Sequence, residues 1–342
     1  MGSPKQSGVQ AGQRLGLAEY ARGIRHGDRG ILSKAITLVE SQLASDEHLA
    51  NDLVQSILPD TGKAIRIGIT GVPGVGKSTF IDTFGTWLTS SGKKVAVLAI
   101  DPSSRMSRGS ILGDKTRMEA LSKDPNAFIR PTATGDHLGG VANKTKEALL
   151  LCEAAGFDII LVETVGVGQS EFAVREIVDF FLLLMMGGAG DELQGIKKGI
   201  MEMADGLIIT KADGDNIRRS HQAQVDYQQA IHLLPKSPSG WTPQVQLTSA
   251  LAKTGIQETW EMITRFIARA KATGYVDNLR NEQDIRWLHQ TLEARFRREV
   301  MKSEKLRDMV AKFERQVVEK KISAGKAAET IWAALGEIYL VP

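Results

Sequence analysis

GITGVPGVGKSTF, residues 68–80, decides the fold. It closes an apolar, β-rich run, AIRIGIT (64–70), and opens a stretch in which Phe80, Phe84, Trp87 and Leu88 recur at helical spacing. Within it, residues 71–78 satisfy G-x-x-x-x-G-K-[ST] in strand–loop–helix context. Glycines at 71, 74 and 76 let successive backbone N–H groups turn inward around phosphate oxygens, and the helix N-terminus adds its dipole. Gly71, Val72, Pro73, Gly74, Val75, Gly76, Lys77, Ser78 and Thr79 are thus expected to line a nucleotide's phosphates. Lys77 would reach the β- and γ-phosphates and the Ser78 hydroxyl would ligate Mg²⁺.

Working outward, short β-rich runs alternate with helical stretches. They are VAVLAID (95–101), AFIRP (127–131), DIILVE (158–163), GLIIT (206–210) and VQLTS (245–249). Several are apolar nearly throughout, as strands covered on both faces are. Their spacing of roughly 30–50 residues leaves room for crossover helices, so an α/β fold with a mostly parallel sheet is expected. A further apolar run, FFLLLMM (180–186), is far short of the ~18–20 residues of a membrane span.

Two loops carry the remaining acids and bases. DIILVETVGVGQ (158–169) reads as a buried strand ending in Glu163 and a glycine-rich turn. Glu163 would hold Mg²⁺, Gly166 would sense the γ-phosphate and Gln169 would orient water. Asp101 ends VAVLAID and opens a long polar loop containing Arg105, Arg108 and Asp114. Asp101 and Asp114 are candidate metal or water-positioning acids, and the two arginines are candidate γ-phosphate stabilisers. GGAGDELQGIKKG (187–199) has the glycine content of a segment that changes shape.

Base choice is written in GLIITKAD (206–213), a strand followed by Thr-Lys-x-Asp. The Asp213 carboxylate can accept from guanine N1–H and N2–H₂, a donor pair that adenine lacks, while Lys211 lies along the base. Ser249, Ala250 and Leu251, in TSALAKTGI (248–256), would close on the guanine carbonyl through backbone N–H groups. The four motifs in this order make GTP or GDP the expected ligand rather than ATP.

The ends are helical. Residues 15–58 carry three- and four-residue apolar spacing closed by Pro59, behind a polar start at 1–12. From 279 to 321 there is no Gly or Pro, and one narrow apolar stripe runs along a basic surface. Such a stripe suits packing against a second copy of the chain. The expected division is 1–58 (disordered start and N-terminal helical extension), 59–272 (nucleotide domain) and 273–342 (C-terminal helical dimerisation arm).

Composition narrows the alternatives. A net charge of +3 from 43 basic and 40 acidic residues argues for neither nucleic acid nor an anionic membrane. A single cysteine, Cys152, excludes a disulfide framework within the chain and a cysteine zinc cluster. It also weakens a metal-insertion GTPase of the urease or hydrogenase maturation kind, since the six histidines are scattered. Thr-Lys-Ala-Asp weakens a kinase or transport-linked ATPase.

Taken together, GITGVPGVGKSTF, IDPSS (100–104), GSILGDKTRM (109–118), RPTATGDHLGG (130–140), ETVGVGQSE (163–171), GDELQGIKKG (190–199) and TKADGDN (210–216) resemble the MeaB/MMAA/ArgK family of P-loop GTPases. The resemblance runs from about residue 15 to the end. It implies a P-loop NTPase fold and a slow GTPase, a homodimer, acting as chaperone to an adenosylcobalamin-dependent methylmalonyl-CoA mutase or related acyl-CoA mutase. It also implies that Asp101, Asp114 and Glu163 surround Mg²⁺, and that Lys77, Asp101, Asp114, Glu163 and Gln169 serve hydrolysis. Residues 187–199, with Asp191, Gln194 and Lys197, would form a third switch reporting nucleotide state to the mutase. The expected location is bacterial cytoplasm, or the mitochondrial matrix in a eukaryote.

Overall fold

The computed structural model describes residues 14–101, 117–133, 138–164, 170–188, 198–235 and 237–339. The chain divides into two compact units, 1–283 and 284–342.

Among the described residues, the first unit is built on seven strands: β1 (Ile65–Gly71), β2 (Val95–Asp101), β3 (Ala127–Ala133), β4 (Ile159–Thr164), β5 (Phe180–Met186), β6 (Gly206–Thr210) and β7 (Gln244–Leu247). Their order is β3-β2-β4-β1-β5-β6-β7, and every pair is parallel. FFLLLMM, apolar at every position, is β5, and it pairs directly with β1. Its lack of alternation reflects burial on both faces, which periodicity alone cannot separate from a buried helix.

Helices α1 (Leu17–Arg25), α2 (Arg29–Glu40) and α3 (Ala44–Ile57) form the N-terminal extension. Asp28 caps α2 by accepting from the Gly30 and Ile31 N–H groups. Leu32, Ile36 and Val39 are fully buried, and α2 packs on β3 and on α6 (Leu138–Ala154). Arg130 on β3 donates to Thr37 Oγ1 and Glu40 Oε2, tying the extension to the sheet. The extension therefore folds as part of the first unit. On the sheet, α4 (Lys77–Ser90) and α10 (Ile256–Ala272) share an aromatic core, with Phe80 stacked on Phe84 at 5.2 Å and Phe180 edge-on to Phe266 at 5.1 Å. The remaining helices of this unit are α5 (Glu119–Ser122), α7 (Ser170–Arg175), α8 (Lys198–Met203) and α9 (Ile217–His232).

At the feet of the strands lies a buried charge network. Arg66, opening β1, pairs with Glu153 at 2.8 Å, both side chains being about 95% or more buried. The Arg66 N–H donates to Asp179, which also accepts from Arg280 at 2.6 Å. Arg280 further donates to the Gly62 and Ala64 carbonyls. It belongs to α11 (Tyr275–Lys302), whose first turns also donate from Gln283 to the Val178 carbonyl. Asp205, before β6, accepts from the Phe181 N–H and faces Arg175 at 3.2 Å. Burial pushes its carboxyl up to about 6, against the pull of Arg175 and the Phe181 N–H. Cys152 is fully buried, and burial pushes its thiol up as well.

The second unit holds the rest of α11, α12 (Glu304–Val318) and α13 (Ala324–Tyr339). Ser303 caps α12, α12 packs on α13, and the Phe296 and Trp332 rings lie 6.1 Å apart. Ile285, Leu288, Leu292 and Phe296 nonetheless remain more than half exposed. Among the described residues, no helix is long and apolar enough to cross a membrane.

Arg280→Ala leaves Asp179 without its guanidinium partner, so a loss of roughly 3–5 kcal/mol in urea unfolding is expected. Arg25→Ala, which breaks a half-exposed pair with Asp60, should cost no more than about 1 kcal/mol. For Asp205, the folded carboxyl titrates above its unfolded value, so between about pH 4 and pH 6 the folded state holds more protons. Wild type should therefore lose stability relative to Asp205→Asn as pH rises through that window, and run parallel to it above, in unfolding curves taken at stepped pH.

Candidate nucleotide site

The carboxyl ends of the parallel strands converge on the loop between β1 and α4. Gly71 ends β1 at φ +153°, and a Cβ there would lie 2.5 Å from the Leu184 carbonyl oxygen on β5. Only glycine permits that approach. Gly76, at φ +98°, turns the chain into α4. Val75 points into the core, whereas Pro73, Gly74 and Thr79 are exposed and Val72, Gly76 and Ser78 half-buried. One buried side chain, Val75, thus anchors an otherwise accessible loop.

Lys77 is 8% exposed and donates to the Gly71 and Val72 carbonyls at 2.7 and 3.3 Å. Burial lowers its ammonium from the usual value, and the carboxylates of Glu163 and Glu171 oppose that shift. Ser78 Oγ donates to Glu163 Oε1 at 3.0 Å. Two of the four residues expected around one metal ion, Ser78 and Glu163, are brought together from positions 85 apart in the chain. Both present hard oxygen donors, the chemistry that suits Mg²⁺. Asp101 ends β2, the strand paired with β4. Its side chain, like all of Asp114, Gly166, Gln169, Asp191, Gln194, Lys197, Arg105 and Arg108, lies outside the described residues.

The opposite side of the loop is built by β6 and the turn after β7. Thr210 Oγ1 donates to the Val75 carbonyl at 2.6 Å, and Lys211 Nζ donates to the Gly74 carbonyl at 2.8 Å. Asp213 accepts a hydrogen bond from Ser249 Oγ, which itself accepts from the Ala252 N–H at 3.0 Å. Ser249 is fully buried and bridges to Thr254. Ala250 offers its carbonyl to Thr83 on α4 at 3.4 Å, and the Leu251 side chain is exposed. Lys211, Asp213, Ser249 and the phosphate loop therefore form one contiguous rim.

Three features escaped the sequence reading. Glu171, in the first turn of α7, is fully buried and contributes to the field at Lys77. Thr164 donates to Thr70 at 2.8 Å, locking β4 to β1 just below the loop. Asn216 donates back to the Lys211 carbonyl. Each is polar in an apolar or turn context, a pattern too common to single out without coordinates.

A family model described as "Methylmalonyl Co-A mutase-associated GTPase MeaB" matches residues 32–305. The chain is 48% identical over 277 residues to "GTPase ArgK" of Escherichia coli, covering 81% of this chain and 84% of that protein. It is 44% identical over 322 residues to "Methylmalonic aciduria type A homolog, mitochondrial" of Mus musculus, covering 91% and 78%. A solved structure titled "Crystal structure of LAO/AO transport system kinase" superposes with a TM-score of 0.74 at 37% identity, covering 93% of this chain and 97% of that one. With a phosphate loop at the head of an all-parallel sheet and a family match that spans both, this chain belongs to the MeaB family of GTPases.

Proposed function

We propose that this GTPase binds GTP and GDP with Mg²⁺ at 71–79, selects guanine through Asp213, and serves an adenosylcobalamin-dependent methylmalonyl-CoA mutase. The observation that carries the nucleotide part is the Ser78–Glu163 contact facing Lys77, with Asp213 held at the other end of the same rim. Lys77 exchanges its carbonyl partners for β- and γ-phosphate oxygens. Ser78 and Glu163, with Asp101 and Asp114, hold the metal, which when bound neutralises charge developing on the phosphates. Gln169 positions water, and Asp191, Gln194 and Lys197 report the nucleotide to the partner.

The mutase assignment is supported by the family description and by the mouse relative. On this reading the protein couples GTP hydrolysis to cofactor loading and protection of the mutase, in bacterial cytoplasm or the mitochondrial matrix. It acts as a homodimer through 284–342. The exposed Ile285, Leu288, Leu292 and Phe296 supply a surface for a second copy. The arm is best delimited after Gln283, because Arg280 and Gln283 complete the first unit.

Lys77→Ala should abolish tight GTP binding in calorimetric titration; affinity retained within about threefold, under 1 kcal/mol, would remove the phosphate-loop assignment. GTP turnover should be slow alone and rise about tenfold or more, ~1.4 kcal/mol off the barrier, with an equimolar methylmalonyl-CoA mutase. An unchanged rate with no complex in sedimentation would assign the GTPase another client.

A further inference from the structure

Asn216 opens α9, where an asparagine side chain ordinarily accepts from the N–H groups of the first helical turn. Here it makes no such cap. Its amide turns backward instead, Nδ2 donating to the Lys211 carbonyl at 2.9 Å and to Ser220 Oγ at 3.3 Å. Both amide hydrogens are thereby committed.

The carbonyl it holds belongs to a residue in an unusual state. Lys211 has φ +54°, left-handed backbone that an L side chain seldom adopts. That turn sends Lys211 Nζ across to the Gly74 carbonyl and places Asp213 against Ser249. Gly214 follows, also left-handed at φ +50°, and the Asn216 N–H closes on the Asp213 carbonyl at 3.1 Å. Asp213 thus sits between two clamps, the Ser249 hydroxyl on its carboxylate and Asn216 on the backbone either side of it. Ser220 is fully buried, so the anchor of the second clamp is fixed in the body of the unit.

We infer that Asn216 is a positioning residue for guanine recognition: its amide holds the strained Lys211 turn so that the Asp213 carboxylate is pre-aimed at the base edge. The inference rests on the proposed guanine reading of Asp213. It adds a residue that acts through Lys211 and Asp213. Pre-aiming matters because two donors must meet one carboxylate, and a swivelled carboxylate satisfies one of them.

The test compares GDP with inosine diphosphate, which lacks the 2-amino donor, on full-length nucleotide-free protein by calorimetry. Wild type should favour GDP by about tenfold or more, ~1.4 kcal/mol. Asn216→Ala and the size-matched Asn216→Asp, which cannot donate to the Lys211 carbonyl, should bring that ratio to within about threefold, under 1 kcal/mol, with inosine diphosphate affinity little changed. A lower melting temperature with the ratio intact in either Asn216 variant would make the residue merely structural and overturn the inference. A wild type that does not discriminate would overturn the guanine reading, and this inference with it, and is told apart by the wild-type arm alone.

Discussion

The parallel pairing of β1 between β4 and β5 is the constraint from which the site follows. Register sets Ile69 beside Glu163 and Gly71 beside Leu184. The first pairing delivers a carboxylate to the serine that follows the loop lysine. The second brings two backbones so close at Gly71 that a side chain there would strike a carbonyl. Neither contact is local in sequence. Both are consequences of sheet order, which holds the floor of the loop from both sides.

Much of this was legible beforehand because the chemistry depends on residue type at fixed spacing. Gly71 to Ser78 announced their own turn, and the Thr-Lys-x-Asp tetrapeptide announced a base edge. Six strands were readable from β-branched, apolar runs. β5 was not, because FFLLLMM has no period to read, and it proved to be the strand beside β1. The buried partners were hidden for a different reason. Glu171, Asp179 and Asp205 look like ordinary solvated acids until the fold removes water from them. Nothing in the sequence marks Asn216, and only the coordinates reveal that its amide faces back to the Lys211 carbonyl.

The polar groups of the first unit fall into two classes with opposite logic. At the carboxyl edge of the sheet, Lys77, Ser78 and Glu163 are paired with one another and with backbone carbonyls that a ligand can replace. Their arrangement is provisional by construction. At the amino edge, Arg66, Glu153, Asp179 and Arg280 are closed upon themselves, with little exposure and several bonds apiece. Burying charge there adds little net stability but makes any alternative arrangement costly. One edge can therefore rearrange while the other holds the strands in register.

The closed network also imposes an order on synthesis. It joins residues near 62, 153, 179 and 280, so the amino edge of the sheet stays incomplete until almost the whole first unit has left the ribosome. Until then Asp179 lacks its guanidinium and the Gly62 and Ala64 carbonyls lack their donor. The nascent chain must wait with parallel strands half assembled, a slow and aggregation-exposed condition. The chain leaves that condition only when the first turns of α11 arrive and Arg280 closes the network.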